Sequence, residues 1–283
     1  MRKALITSFA LAAALLVAAT ASGGSTASSA AAGIPGCNKA TLNLLAPGTL
    51  TIGADNPAYP PWFGGDEKTK PWKISDPYSG KGYEAGVAYA IAQQLGFSKA
   101  QVKWTVVPFN NSYRPGKKPF DLYLTQVSYK PARAKAADFS KSYYFVNQTL
   151  VALKNKPIAS AKSIAALKDY KLGAQIGTTG AFEIKKVEGL ELKTYDEIGL
   201  AFEDMAAGRL AGVVCDEPTA ANFALQRAEY KVKFQIVGEP FTKEFYGVVV
   251  KKGNKELLER VNKGIRAVQT KKADEQLRKK WLR

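Results

Sequence analysis

Apolar residues recur along this chain in two spacings, one that suits strands and one that suits helices. Short β-prone runs bounded by glycine or proline begin with residues 48–53. Apolar residues three and four positions apart predict helices between them, as in residues 83–95, where Val87, Ile91 and Leu95 share one face and Gly96 ends the pattern. Because strands and helices alternate along the chain, the sequence predicts an α/β fold with parallel sheets.

The same two spacings predict the remaining elements. Strands are predicted at residues 102–107, 120–127, 145–153, 171–176, 211–215 and 245–251. Helices are predicted at residues 131–137, 163–168, 195–207 and 218–227, and one or two amphipathic helices are predicted at 254–282. No repeat of fixed period is present. A chain of 283 residues is long for one compact core, so we expect two lobes.

The first residues have the pattern of an export signal. Arg2 and Lys3 precede an Ala- and Leu-rich run at residues 4–19, and Ala19-Thr20-Ala21 has the small-x-small pattern of a cleavage site. The run is shorter than the ~20 residues of a membrane span, although a retained anchor is the alternative. We predict a signal peptide at residues 1–21, a flexible Ser/Ala/Gly linker at 22–36, and an exported, periplasmic or cell-surface protein that is soluble after cleavage.

The charge balance is strongly basic, with 41 Lys and Arg against 24 Asp and Glu and a formal net charge of +17. Loss of Arg2 and Lys3 with the signal would leave +15 (17 − 2). This balance would suggest nucleic acid in a cytosolic protein, but export argues against that partner. Because the lysines are dispersed, we expect a solvated basic surface. Attraction to anionic membrane surfaces or anionic solutes is the alternative.

The absence of histidine excludes several site chemistries. A Ser-His-Asp or Cys-His triad and a histidine-containing zinc site are impossible. The two cysteines, Cys37 and Cys215, cannot form a thiolate metal site alone. We predict that they are not bonded to each other and that Cys37 is unlipidated, because it follows the linker and not the signal run. No metal or cofactor is expected.

Eight short motifs occur in an order that resembles one known family, the type II periplasmic solute-binding proteins for polar amino acids (extracellular solute-binding family 3). Each motif alone is weak, and the ordered set is specific. The motifs are GTLTIG at 48–53, YPPWF at 59–63, GYE at 82–84, FDL at 120–122, SYKPAR at 128–133, DFS at 138–140, the run 172–179 ending in Gly-Thr-Thr, and 211–216 ending in Asp.

The resemblance implies an architecture and a function. Lobe 1 would comprise residues 37–146 and 243–283, lobe 2 would comprise 147–242, and two crossover segments would join them around a ligand cleft. The implied function is extracytoplasmic binding of an amino acid or similar zwitterion and its delivery to the permease of an ABC transporter, by a monomer that is not an enzyme. The alternative is a dehydratase-like enzyme on the same scaffold, acting on a small carboxylated substrate, for which Asp216 or Glu217 would supply a proton.

The resemblance also implies the binding residues. Arg133 would clamp the ligand carboxylate through its planar fork, and Asp216 would accept from the ammonium group. The remaining residues contact the polar head or form the walls of the site: Ser128, the backbone near Gln126, Thr179, Tyr59, Phe109 and Trp62.

The ligand side chain stays open at this point. Asp55 resembles an acid that meets cationic side chains, whereas Lys130, which replaces the usual threonine, favours an anionic ligand. Each residue also has a structural alternative. Arg133 could form a surface ion pair, Asp216 or the Thr178-Thr179 pair could cap a helix, and Tyr59 and Trp62 could be core aromatics.

Overall fold

The computed structural model describes residues 38–65 and 67–282. The predicted signal peptide, the linker and Cys37 lie outside these ranges. Within them, no helix has both the length and the apolar character needed to cross a bilayer.

Ten strands and seven α-helices make up the described fold. The strands are β1 (Leu50–Ala54), β2 (Val102–Val106), β3 (Leu122–Tyr123), β4 (Ala137–Val146), β5 (Gln148–Leu153), β6 (Lys171–Gln175), β7 (Glu191–Tyr195), β8 (Gly212–Asp216), β9 (Phe234–Val237) and β10 (Glu244–Lys251). The helices are α1 (Tyr83–Gln94), α2 (Pro131–Ala134), α3 (Thr179–Lys185), α4 (Ile198–Ala206), α5 (Glu217–Ala221), α6 (Lys255–Thr270) and α7 (Ala273–Trp281).

The strands form two separate five-stranded sheets, and we call the unit around each sheet a lobe. Lobe 1 has the strand order β2-β1-β3-β10-β4, and lobe 2 has the order β7-β6-β8-β5-β9. Apolar clusters cover both faces of each sheet. In lobe 1 one of these clusters includes the buried sides of α1 and α6, and in lobe 2 the clusters include those of α3 and α4. Each lobe therefore has its own core, in agreement with the predicted two-lobed type II fold.

The chain passes between the sheets at two places. It leaves lobe 1 between β4 and β5, and it returns between β9 and β10. Both sheets are mixed, because β10 runs antiparallel to β3 and β4, and β5 runs antiparallel to β8 and β9. The prediction of parallel sheets was therefore wrong for these strands. The physical reason is that strands joined directly across a crossover are not preceded by the helix that a parallel pairing requires.

Several predicted elements differ in extent from the observed ones. The strand predicted at 120–127 is reduced to the two residues of β3, and the helix predicted at 195–207 begins only at Ile198. The helix predicted at 218–227 is α5 followed by one π-helical turn, Asn222–Gln226. The long C-terminal pattern divides into α6 and α7 at Lys272, whose φ of 57° interrupts the helix. These differences leave the strand ends at the cleft in place.

Candidate functional site

A cavity lies between the two lobes, where several strands of both sheets end. Together with its mouth it encloses about 740 Å³ of space. Asp55 follows β1, Gln175 ends β6 and Asp216 ends β8. Side chains at the carboxyl ends of parallel strands converge in this way in open α/β sheets. Eight of the nine predicted site residues line the cavity: Asp55, Tyr59, Trp62, Phe109, Gln126, Arg133, Thr179 and Asp216.

Arg133 is held in the interior by backbone carbonyls. It lies in α2 and is only 4% exposed. Its Nη1 donates to the carbonyl of Ser128 at 2.6 Å, and its Nη2 donates to the carbonyl of Gly177 at 2.7 Å. Its guanidinium lies 4.5 Å from the ring centre of Tyr113. The buried Nε carries no hydrogen bond, so a donor remains for a ligand, and the surface ion-pair alternative does not hold.

Ser128, the ninth predicted residue, does not line the cavity. It is buried, and its carbonyl accepts the hydrogen bond from Arg133. Its observed role is therefore to hold the arginine.

Asp216 faces the cavity from lobe 2, at the end of β8. Its carboxylate accepts a hydrogen bond from the side-chain amide of Gln148. Its side chain does not cap α5, so the capping alternative is wrong. Burial raises the pKa of Asp216 to about 7, and the nearby charge of Glu244 adds to the rise. A carboxylate desolvated in this way is stabilised by a cation that enters the cavity.

Two further acids lie on the wall of the cavity. Oδ2 of Asp55 accepts from the side-chain amide of Gln175 at 2.9 Å, a contact between the lobes. Burial raises the pKa of Asp55 to about 6. Glu197 also lines the cavity, but its carboxylate is paired with the ammonium of Lys73 at 2.5 Å. Among the described residues, Asp55 therefore resembles Asp216 and differs from Glu197, because no cation lies within ion-pair distance of its carboxylate.

Gln126 is fixed by a buried acid that the sequence did not predict for the site. Its backbone, at φ 46°, lies in the left-handed region. Its backbone N–H donates to Oε1 of Glu84 at 2.7 Å, its side-chain amide donates to Oε2, and the hydroxyl of Tyr143 donates to Oε1 at 2.5 Å. Burial raises the pKa of Glu84 to about 7, and these donors oppose the rise. The amide N–H of Gln126 is therefore already used inside lobe 1.

Glycine at position 82 brings Glu84 to this place. Gly82 has φ 97° and precedes α1. A Cβ at this position would lie 2.4 Å from the carbonyl oxygen of Trp62. Only glycine therefore lets α1 begin in contact with the backbone of Trp62. The first turn of α1 then points Glu84 at Gln126.

Aromatic rings form the side walls. Tyr59 from lobe 1 packs on Phe223 of lobe 2 with ring centres 5.6 Å apart. Phe109 also lines the cavity, and its ring packs against that of Tyr113. Trp62 is both a wall of the cavity and a core residue. It lines the cavity, and it is packed among buried tyrosines with 1% of its surface exposed.

The lobes are in contact across the cleft. The indole N–H of Trp62 donates to the hydroxyl of Thr219 at 3.0 Å. The carbonyl of Gly177 accepts from Arg133 and also from the hydroxyl of Tyr113 at 2.8 Å. With the Asp55–Gln175 and Lys73–Glu197 contacts, these bonds define a closed arrangement of the two lobes.

A protein-family comparison matches residues 50–283 to the bacterial extracellular solute-binding proteins, family 3. The chain belongs to this family. The match spans all ten strands and seven helices, so it includes both lobes of the family 3 protein described here.

Curated relatives of this family 3 protein are named as binding proteins for particular amino acids. The L-cystine-binding protein TcyJ of Escherichia coli K12 is 29% identical over 83% of this chain and 83% of its own length. The ABC transporter glutamine-binding protein GlnH of Bacillus subtilis 168 is 26% identical over 78% of this chain and 80% of its own.

Solved structures share the fold. An ancestral arginine-binding protein bound to arginine is 30% identical, with a TM-score of 0.71 over 83% of this chain and 99% of its own. The ancestral amino acid-binding protein AncCDT-1, described as a precursor of cyclohexadienyl dehydratase, is 26% identical, with a TM-score of 0.69 over 83% of this chain and 96% of its own.

Sequence reasoning missed several polar residues of this family 3 site. Glu84, Gln148, Gln175 and Thr219 each bond to a residue that lines the cavity. Two of these residues could have been found from their place at a strand end, since Gln148 begins β5 and Gln175 ends β6. At Thr178-Thr179 the roles divide. The hydroxyl of Thr178 caps α3 by accepting from the N–H of Ala181 at 3.2 Å, and Thr179 lines the cavity beside it.

Cys215 is buried at the cavity and carries no disulfide within the described ranges. The predicted absence of a Cys37–Cys215 bond stays a prediction, because Cys37 lies outside them.

Proposed function

We propose that this protein is exported, binds an amino acid in the cleft between its lobes and delivers it to the permease of an ABC transporter. The observation that carries the proposal is the pairing of Arg133 and Asp216, which face one cavity from opposite lobes with opposite charges. A zwitterion needs a partner for each charge once it leaves water. The named relatives, which are binding proteins for amino acids, support the same function.

The carboxylate of the ligand would be held by Arg133. Guanidinium has five N–H donors, and two are already bonded to the carbonyls of Ser128 and Gly177. These two bonds and the ring of Tyr113 fix the plane of the group, so the remaining donors are oriented before the ligand arrives. The α-ammonium would bond to Asp216. Its charge would stabilise the ionised carboxylate, which burial has deprived of hydration.

The charge of the walls favours an amino acid with a cationic side chain. Arg133 and Asp216 balance the carboxylate and the α-ammonium, and Lys73 balances Glu197. Asp55 then stands alone, with a carboxyl whose pKa burial raises to about 6. Lys130 does not offset it, because its ammonium does not line the cavity and lies 3.5 Å from the carboxylate of Glu244. A cationic side chain would complete the balance, whereas an anionic one would face Asp55 directly.

Calorimetric titration of the purified protein tests this proposal. We expect arginine, lysine or ornithine to bind more tightly than glutamine, and glutamate to bind most weakly. Asp55→Asn should reduce the preference for the cationic ligand over glutamine by about tenfold or more, since a desolvated charge pair is lost. The exposed Asp169→Asn serves as the control. Absence of binding by any amino acid would contradict the proposal, and equal affinity for arginine and glutamate would contradict the cationic ligand.

An enzyme on the same scaffold is the second candidate, and one observation favours it. The carboxyl of Asp216 has a pKa raised to about 7, which suits a proton donor. Glu217, the other predicted donor, is bonded to the side-chain amide of Asn147 at 2.6 Å and does not line the cavity. The named relatives are binding proteins. We therefore propose binding without chemical change, and recovery of an altered ligand after incubation with the protein would overturn this.

A further inference from the structure

Four lysines meet at the end of lobe 2 that lies away from the cleft. β5 begins at Gln148, which lines the cavity, and runs to Leu153, which pairs with Phe234 of β9. Just beyond this pair the backbone N–H of Lys154 donates to the carbonyl of Lys233 at 2.8 Å, and Nζ of Lys154 donates to the carbonyl of Lys231 at 2.9 Å. We call the exposed group of Lys154, Lys156, Lys231, Val232 and Lys233 the lysine tip.

The charge of the lysine tip is not compensated by acids. Among the ion pairs of the described residues, none includes any of its four lysines. The nearest acid in sequence, Glu229, is instead 3.7 Å from Arg227. The basic C-terminal helices differ in this respect, because Lys263 pairs with Glu259 at 3.0 Å and Lys279 with Glu275 at 2.6 Å. The lysine tip thus groups four lysines without an acid partner, whereas lysines of the C-terminal helices are paired with acids.

An apolar side chain stands at the centre of this charge. Val232 is 69% exposed and is flanked in sequence by Lys231 and Lys233. Valine in this position gains nothing from the core of lobe 2. An exposed apolar group beside several lysines matches the chemistry of a bilayer surface, where the apolar group enters the headgroup region and the ammonium groups meet phosphates.

We infer that the lysine tip docks this protein on an anionic phospholipid bilayer. The inference goes beyond the proposed function, since it concerns a different surface. The six residues of β5 separate the tip from the cavity by roughly 17 Å. Contact with a membrane at the tip therefore leaves the mouth of the cleft free to exchange ligand. The high net positive charge, formally +17, adds long-range attraction to the same partner.

Vesicle co-sedimentation tests the inference. The purified protein is mixed with vesicles of phosphatidylcholine alone or of phosphatidylcholine with phosphatidylglycerol, at low and at high salt. We expect binding only to the anionic vesicles and its loss at high salt. The variant Lys154→Gln/Lys156→Gln/Lys231→Gln/Lys233→Gln should bind several hundredfold more weakly, because each of the four lysines near an anionic surface contributes about fivefold. Val232→Ser should weaken binding several-fold with all lysines present.

A matched control separates the lysine tip from net charge. Lys68, Lys70, Lys117 and Lys135 are exposed lysines of lobe 1 that form no ion pair within the described residues. Their quadruple replacement by glutamine removes the same charge and should change vesicle affinity far less than the tip variant. Equal losses in the two variants, or no sedimentation of the unaltered protein, would overturn the inference.

Displacement from the vesicles by millimolar glycerol phosphate would also overturn the inference, because the tip would then recognise phosphate and not a bilayer. Amino-acid titration of the tip variant should be unaffected, so a failure here is distinguishable from a failure of the proposed function.

Discussion

At the scale of single residues, Arg133 lies where the proposed ligand site and the contact between the lobes meet. Its fork bonds to a carbonyl of its own lobe and to the carbonyl of Gly177 in the other lobe. We expect Arg133→Lys to weaken amino-acid binding about a hundredfold or more, because lysine keeps the charge but loses both the fork and the fixed plane. Calorimetric titration measures the loss, and an unchanged far-ultraviolet circular dichroism spectrum shows that the fold survives. Near-native affinity would mean that Arg133 does not clamp the ligand.

If Asp216 meets the ligand ammonium as proposed, its carboxyl makes us expect a pH dependence of binding. Its pKa is about 7 in the folded protein, above the ordinary value of 3.8, because burial disfavours the charged form. The folded state without ligand therefore holds a proton more tightly than the unfolded state, and this group lowers the free energy of unfolding as pH rises from about 4 to about 7. A ligand ammonium reverses the preference, since it requires the ionised carboxylate.

Amino-acid affinity should therefore fall by up to about tenfold for each pH unit below about 7, and binding near pH 6 should release a proton. Asp55, with a pKa of about 6, steepens the fall for a cationic ligand at lower pH. Titrations in two buffers of different ionisation enthalpy measure the proton release directly. Asp216→Asn should bind more weakly above about pH 7, should lose the part of the slope near pH 7, and should therefore approach the wild-type affinity as pH falls. A wild-type affinity that is flat from about pH 5 to about pH 8 would show that Asp216 does not meet the ammonium.

At the scale of elements, the start of α4 controls how closely the lobes approach. Gly199 lies in the first turn of this helix in lobe 2, and a Cβ built on it would lie 2.2 Å from the hydroxyl oxygen of Tyr59 in lobe 1. Gly199→Ala should leave the melting temperature of the free protein unchanged or slightly higher, because alanine favours a helix over glycine. It should weaken ligand binding about tenfold or more, because full closure now meets a clash.

The clash has its own control. The double variant Tyr59→Phe/Gly199→Ala lacks the hydroxyl that clashes with the new Cβ. The nearest ring carbon, Cζ of residue 59, then lies 3.0 Å from this Cβ, and a small shift of the ring relieves that contact. We therefore expect the double variant to recover most of the affinity. No recovery would mean that Gly199 acts through its own helix and not through closure.

The elements that the sequence predicted well are those with a strong periodic signal. α1 occupies Tyr83–Gln94 with its predicted Val87 and Ile91 buried, and the amphipathic α6 has Leu257, Val261 and Ile265 on its buried side. β7 was missed because most of its residues are half-buried or exposed, so it lacks the apolar run of a central strand. β5 and β10 were predicted as strands, but their antiparallel direction was not, since strand direction depends on how the chain crosses between lobes and not on local pattern.

The candidate site divides in a similar way. Residues inside a recognisable motif, such as Arg133 and Asp216, were found, and the structure brings both to the cavity. Ser128 belongs to a motif too, but its carbonyl and not its side chain takes part. Glu84 carries no local signal of its role, because its partner Gln126 lies 42 residues further along the chain. Contacts of this kind arise from packing and cannot be derived from a single sequence.

At the scale of the whole molecule, the chain crosses between two lobes that have separate cores, so we expect the lobes to move relative to each other while each core stays intact. Apart from the packing of Tyr59 on Phe223, the contacts described above between the lobes are polar, and they include the Lys73–Glu197 ion pair and the Trp62–Thr219 hydrogen bond. Polar contacts exchange readily for water, so their loss on opening costs little. Each apolar cluster lies within a single lobe. The one exception named above is the ring of Tyr59 in lobe 1, which packs against a cluster of lobe 2. Opening therefore leaves the free energy of each core nearly unchanged.

Ligand binding should accordingly shift this protein from open to closed. Arg133 and Asp216 stand on different lobes, so one amino acid bonds to both only when the lobes approach, and its binding free energy then favours the closed state. Small-angle X-ray scattering at saturating ligand should give a smaller radius of gyration than without ligand, and the bound profile should match the one calculated from the closed structure. Gly199→Ala, at ligand concentrations that saturate it, should contract less, because its clash stops the lobes before full contact. The same radius of gyration with and without ligand in the unaltered protein would show that the lobes are rigid and that the ligand enters a cleft that is already closed.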